Sequence, residues 1–256
     1  MDVLSQFNLA GRRALVTGSS RGIGFAIASA LAAAGADVIL NGRDQEALGQ
    51  AAETLARGGV RVRALAFDVT SEESIADAIG YCETELGGLD ILVNNAGVQF
   101  RAPLEDYPRD KFELMMATHV TATFAVSQAA ARGMISRGHG KIINICSVMT
   151  NHARQTIAPY AAAKAAIANL TRGMATDWAR HGINANGIAP GFFKTELNMA
   201  LMADTEFNAW LEKRTPMGRW GEVAELGGAA IFLASDASSF VNGHILYVDG
   251  AFTATV

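Results

Sequence analysis

Short apolar runs alternate with long amphipathic segments from one end of this chain to the other, and no other feature of the sequence restricts its fold as much. Runs at 14–17, 37–40, 61–67, 91–93, 141–145, 183–187 and 244–248 read as strands. Several are continuous apolar stretches, the pattern of strands buried on both faces of a parallel sheet. The segments between them, 22–34, 44–57, 71–86, 108–136, 158–180 and 221–235, carry helical spacing. In the first of these, Ile23, Ile27, Leu31 and Ala34 recur on one face, alanines allow close packing on a sheet, and Gly35 supplies the stop. Asp44 and Ser71 stand where helix N-caps belong. The alternation predicts an α/β fold, a Rossmann-type doubly wound parallel sheet with right-handed crossovers and helices on both faces.

Half of the 256 residues are hydrophobic, 18% are charged, and the formal net charge is −4. Burial on that scale offsets the entropy of ordering, so a disordered chain is excluded and no disulfide or metal staple is needed. No linker, charge run or repeat divides the sequence, which predicts one domain over 1–256. Within it, 189–219 lacks clear periodicity and reads as a substrate lid. The charge pattern has no basic stripe of the kind a phosphate backbone requires, so nucleic acid is not an expected partner. No uncharged apolar run reaches the roughly 18 residues that span a bilayer, which argues against a membrane partner. Residues 1–11 lack the basic start and apolar core of a secretion signal. Two cysteines, Cys82 and Cys146, cannot build a disulfide framework, and a reducing cytoplasm is the expected setting. No metal site is expected.

Chemistry enters at the strand ends. After the first strand comes Thr17-Gly18-Ser19-Ser20-Arg21-Gly22-Ile23-Gly24. Glycines there let the backbone approach a pyrophosphate, and the helix start offers free amides and a positive dipole end. A tight turn without a ligand would use glycines too, but its place at the first strand-to-helix turn favours binding. The second strand ends in Leu40-Asn41-Gly42-Arg43, with no carboxylate before Asp44 to hold a ribose 2′-hydroxyl. Arg43, joined by Arg21, suits a 2′-phosphate, which predicts NADP(H) as cofactor unless Arg43 is merely solvated. Asp68-Val69 and Asn94-Asn95-Ala96-Gly97 follow the third and fourth strands, where ligands of open α/β sheets bind.

Ser147 follows the fifth strand, and Tyr160-Ala161-Ala162-Ala163-Lys164 opens the next helix. Four residues apart, the tyrosine and lysine share a helical face. A phenol of ordinary pKa about 10 needs a shift of roughly 3 units to act near neutrality, and a nearby ammonium works in that direction.

In this order, the glycine loop from Thr17 to Gly24, Asp68, the 94–97 turn, Ser147, Tyr160, Lys164 and Pro190-Gly191 resemble the motifs of the short-chain dehydrogenase/reductase family over essentially the whole chain. The resemblance implies that Tyr160 exchanges a proton with the substrate oxygen, Ser147 holds that oxygen, and Lys164 lowers the tyrosine pKa and holds the nicotinamide ribose. It implies adenine contacts from Asp68 and Val69, adenosine contacts from Asn94, Ala96 and Gly97, and nicotinamide-side contacts from Pro190, Gly191 and Thr195. Segments 41–43, 141–147, 157–160, 174–181 and 213–221 resemble the members that reduce a keto sugar acid or polyol-like ketone. The resemblance also implies a homotetramer.

One position departs from the family pattern. Where an asparagine usually serves a proton relay, this chain has His119, which fits either a replacement relay or a packing role. A sugar-acid carboxylate needs a cation, and Arg101 and Arg154 are the candidates, each equally readable as a surface arginine. His152 and Gln99 are polar candidates for hydroxyls, while Phe192, Phe193 and Trp210 read as lid packing. Two other readings use overlapping features: a reductase of carrier-bound β-ketoesters, and a regulator that senses NADP without turnover. The first is opposed by the acidic lid residues Glu196, Asp204, Glu206 and Glu212, the second by the intact Ser147, Tyr160 and Lys164 set.

Overall fold

The computed structural model describes residues 2–255. Its strands are β1 (Arg13–Val16), β2 (Asp37–Gly42), β3 (Val62–Ala66), β4 (Ile91–Asn94), β5 (Gly140–Ile145), β6 (Ile183–Pro190) and β7 (Ile245–Val248). They pair in parallel as one sheet in the order β3-β2-β1-β4-β5-β6-β7. Helices α1 (Gly22–Ala33), α2 (Gln45–Ala56), α3 (Glu72–Thr84), α4 (Arg109–Met116), α5 (Ala122–Arg137), α6 (Ala158–Trp178), α7 (Met199–Met202), α8 (Thr205–Arg214) and α9 (Gly227–Ala234) connect them. This is the expected doubly wound α/β architecture.

Side-chain alternation along the strands divides the interior into two layers. Val16, Ile91 and Val93 face one core with Ile27 and Leu31 of α1, Leu48 of α2 and Leu233 of α9. Leu15, Leu92 and Ile142 face the other, with Ile79 of α3, Val126 and Met134 of α5 and Met174 of α6. The sheet order reverses at β1, where Val16 pairs with Leu40 on one side and Val93 on the other. Connections leaving β1 and β4 therefore diverge, and a crevice opens at the strands' carboxyl ends.

Caps follow the sequence. The Asp44 carboxylate accepts from the amides of Glu46 and Ala47, and the Ser71 hydroxyl from Ser74. Gly35 follows α1 with φ +103°, the left-handed turn that ends the helix.

Three expectations need revision. The helix read over 108–136 is interrupted by a π-helical turn at Ala117–Thr121, between α4 and α5. The stretch 189–219 is not irregular: β6 runs on to Pro190, and α7 and α8 follow, the latter capped by Asp204. These helices escaped periodicity because they are short and α8 buries only Leu211. The helix read over 221–235 begins as a 3-10 turn, Val223–Leu226, before α9. Among the described residues no helix is long and apolar enough to cross a membrane.

Candidate active site

A cavity of about 810 Å³ lies at the carboxyl ends of the strands. One end is built from the β1–α1 loop. Gly18 has φ +61°, and a Cβ there would sit 2.8 Å from the Ala96 Cα, so only glycine fits. A Cβ on Gly24 would strike the Gly18 carbonyl oxygen and the Asn95 amide. Helix α1 has no side-chain cap, so its first amides stay free to meet an anion. The loop is held from behind: Asn95 Nδ2 donates to the carbonyls of Thr17 (3.0 Å) and Gly18 (2.8 Å), and Gly18 N donates to Asn41 Oδ1 (3.3 Å).

Farther out, exposed Arg43 and half-buried Asp68 form the opposite wall with Val69. Thr70 donates its backbone N–H and its hydroxyl to Asp68 Oδ1, which holds the carboxylate below its usual range; Arg43 adds to the effect. Arg21 pairs with Glu196 of the 189–219 segment at 3.2 Å rather than joining Arg43.

The other end carries the reactive groups. Ser147 follows β5, and its hydroxyl accepts the Met149 amide at 3.1 Å, closing a 3-10 turn over Val148–Thr150. Tyr160 and Lys164 share one face of α6, with the ammonium 5.6 Å from the phenol ring centroid. Lys164 Nζ donates to the Ile145 carbonyl at 2.6 Å. Burial lowers the lysine pKa to about 8, so it remains mostly charged at neutrality. Burial pushes the Tyr160 phenol up, and the Ser147 hydroxyl offsets part of that rise. The phenol is therefore a protonated acid, ready to donate. Cys146, on the same wall, is pushed up to about 11 by burial and is an inert thiol.

His119 lies in the π-helical turn, buried, with its ring edge-to-face against Tyr160 at 5.6 Å between centroids. Its Nε2 lies 2.8 Å from the Val98 carbonyl oxygen. Burial, with the Lys164 charge nearby, lowers its pKa to about 3. At that pKa the imidazole is neutral near pH 7, so it offers one hydrogen-bond donor and one acceptor nitrogen rather than a charge.

Arg101 and Arg154 meet at this end although 53 positions separate them in sequence. The Ala102 amide donates to the Thr156 carbonyl at 3.2 Å and ties their two loops together. Thr156 takes φ +70°, an outlying conformation for a β-branched residue. Among the described residues neither arginine pairs with a carboxylate, and Arg154 lies 5.3 Å over the Phe207 ring. Burial, reinforced by Arg101, lowers the Arg154 pKa. Two adjacent cations with no counterion among the described residues suit an anion. Phe192 borders the cavity and packs among Phe207, Trp210, Trp220 and Phe252.

Of the residues read from sequence, Gly18, Ser20, Arg21, Ile23, Gly24, Arg43, Asp68, Val69, Ala96, Gly97, His119, Ser147, Tyr160, Lys164, Pro190, Gly191 and Thr195 line this one cavity, as do Gln99, Arg101 and Arg154. Gly22, Asn94 and His152 do not. Asn94 follows Leu92 onto the α5 side of the sheet by strand alternation, where its amide donates to Ser127 and Asn144 at 2.8 Å. Gly22 serves the loop by its φ of +59°. His152 is exposed. Asn41, which braces the glycine loop, and Thr156, which sets the arginine loops, gave no signal beyond their neighbours.

The chain matches a family model described as enoyl-(acyl carrier protein) reductase over residues 18–253. It is 54% identical to the gluconate 5-dehydrogenase of Gluconobacter oxydans (strain 621H) and 49% identical to the 5-keto-D-gluconate 5-reductase of Escherichia coli (strain K12), with 98% of each chain covered in both cases. A crystal structure of a gluconate 5-dehydrogenase from Burkholderia cenocepacia J2315, in complex with NADP and tartrate, superposes with a TM-score of 0.96 at 54% identity, covering 99% of both chains.

Proposed function

The chain belongs to the short-chain dehydrogenase/reductase family, and from that premise we propose that it is an NADP(H)-dependent oxidoreductase interconverting 5-keto-D-gluconate and D-gluconate. The observation that carries the substrate is the pair Arg101 and Arg154, which pair with no carboxylate among the described residues and line the cavity that holds Ser147, Tyr160 and Lys164. They receive the carboxylate, while the ketone lies against Tyr160 and Ser147.

The residues present fit the cofactor. Gly18 and Gly24 admit no side chain, the free amides of α1 meet the pyrophosphate, Arg43 the 2′-phosphate, and Asp68 and Val69 the adenine. NADPH, when bound, supplies the hydride. In reduction Tyr160 gives its proton to the forming alkoxide, and Ser147 holds that oxygen by a hydrogen bond. Lys164, anchored on the Ile145 carbonyl, favours the phenolate left behind. Oxidation of D-gluconate runs these steps backwards. The 189–219 segment covers the site as a lid, and the Arg21–Glu196 ion pair ties it to the glycine loop.

Two further parts of the reading concern the whole protein. Its assembly is a homotetramer. Its setting is a reducing cytoplasm, which suits the free thiols Cys82 and Cys146. Against the carrier-protein reading, Glu196, Asp204, Glu206 and Glu212 balance Lys194, Lys213, Arg214 and Arg219, so the 189–219 segment has no net positive charge to draw an acidic carrier.

The test is NADPH consumption with 5-keto-D-gluconate, beside acetoacetyl-carrier protein and neutral polyol ketones. Consumption only with the keto acid is expected. A preference for the carrier-bound substrate would transfer the assignment to that chemistry.

A further inference from the structure

Four buried side-chain atoms of the described chain lack a hydrogen-bond partner: Gln99 Oε1, Arg101 Nε, His119 Nδ1 and Arg154 Nε. All four residues line the active-site cavity. Folded interiors leave few such groups, since a buried polar atom that nothing meets has lost its hydrogen bonds to water without replacement. Their concentration in one place describes the complement of a ligand.

They are of two kinds. The arginine Nε–H groups are donors and suit the carboxylate. Gln99 Oε1 only accepts. The character of His119 Nδ1 is set by the other ring nitrogen, which lies 2.8 Å from the Val98 carbonyl oxygen and 3.1 Å from the Val98 nitrogen. The carbonyl contact is the shorter, so Nε2 carries the proton and Nδ1 presents a lone pair. Gly97 packs on the Cε1 edge of the ring and Tyr160 meets it edge-to-face, so the imidazole is held in place. Two unmet acceptors call for two donors. A carboxylate, a ketone or a thioester offers none, whereas a hydroxyl does.

We propose that Gln99 and His119 each accept a hydrogen bond from a substrate hydroxyl, so that the site selects polyhydroxy acids over acids lacking those hydroxyls. This rests on the gluconate reading above. His119, against the Tyr160 ring, meets a hydroxyl near the reacting carbon. Gln99, two residues from Arg101, meets one nearer the carboxylate.

Selectivity follows from the cost of leaving a buried acceptor unpaired: a site built to bond a hydroxyl discriminates strongly against the analogue without it. The experiment measures kcat/KM of the full-length protein with NADP⁺ for D-gluconate and its 2-deoxy, 3-deoxy and 4-deoxy analogues. Wild type, Gln99→Met and His119→Phe are compared, with NADPH binding as the check on folding. For wild type, at least two deoxy acids are expected to fall tenfold or more below D-gluconate. Each variant is expected to lose that discrimination against one deoxy acid, and a different one in each case. Wild-type turnover of all three deoxy acids within tenfold of D-gluconate would mean that water meets these acceptors, and would overturn the proposal while leaving the gluconate reading intact. If neither variant binds NADPH, the wild-type series alone decides by the same criterion. A wild type inactive on both D-gluconate and 5-keto-D-gluconate overturns the gluconate reading, and this proposal with it.

Discussion

The four-residue spacing of Tyr160 and Lys164 alone would describe an ordinary exposed helical pair, and it is their order after the glycine loop and Ser147 that singles them out in the sequence. What the sequence does not record is the state of each proton. Burial raises the Tyr160 phenol, so without cofactor it is the acid form. Replacing it with Phe removes the proton donor and little volume. Tyr160→Phe is expected to lose 10²–10⁴ in kcat/KM, the usual worth of a positioned acid, with NADPH affinity within a few-fold of wild type by fluorescence titration. His119 was legible as an oddity and not as a neutral group. Its folded pKa of about 3 lies below the ordinary 6.5, so between those values the unfolded chain binds the proton more readily. Stability contributed by this group is full above pH 6.5 and is lost as pH falls towards 3. Urea midpoints at pH 7 and pH 4.5 test this: His119→Gln, which does not titrate, is expected to fall less than wild type. A parallel fall would mean that the histidine protonates freely when folded.

At the scale of elements, the strand ends were readable and the loops' partners were not. Residues 40–43 close β2 with Arg43 and no acid, and that choice is local, so the sequence sufficed to predict the phosphate. Arg21 is different. Its partner Glu196 lies 175 positions away, and only the fold brings the glycine loop under the α7–α8 segment. Arg101 and Arg154 are a similar case, since the Ala102–Thr156 hydrogen bond that joins their loops has no sequence signature. The π-helical turn was hidden because its residues, Ala117–Thr121, include no glycine or proline to mark a break in the helical pattern. Because Arg21 pairs with Glu196, the proposed recognition of a 2′-phosphate rests on Arg43. Wild type is expected to prefer NADPH over NADH at least tenfold in kcat/KM, about 1.4 kcal/mol, and Arg43→Ala to reduce that preference to near parity. A preference unchanged in the variant would move phosphate recognition elsewhere on the β1–α1 loop.

For the molecule as a whole, an apolar surface remains that one chain does not use. Phe112 and Leu114 of α4 and Phe124 and Ile135 of α5 are exposed, and Phe124 and Ile135, eleven residues apart, fall on one face of their helix. Phe240, between α9 and β7, is fully exposed in a separate region of the chain. Monomeric proteins scatter single apolar residues, whereas Phe124 and Ile135 share one face of α5, which suits a surface covered by another chain. In the proposed tetramer these exposed residues are available to two-fold contacts, each of which uses its own surface so that the assembly closes. Sedimentation of the wild type is therefore expected to give a species of about four times the 26.9 kDa chain mass. Phe124→Glu places a charge in the helical patch and should yield smaller species that retain NADPH binding, because no α5 residue lines the cavity. A monomeric wild type at micromolar concentration would leave these aromatics without a role in self-association and remove the tetramer.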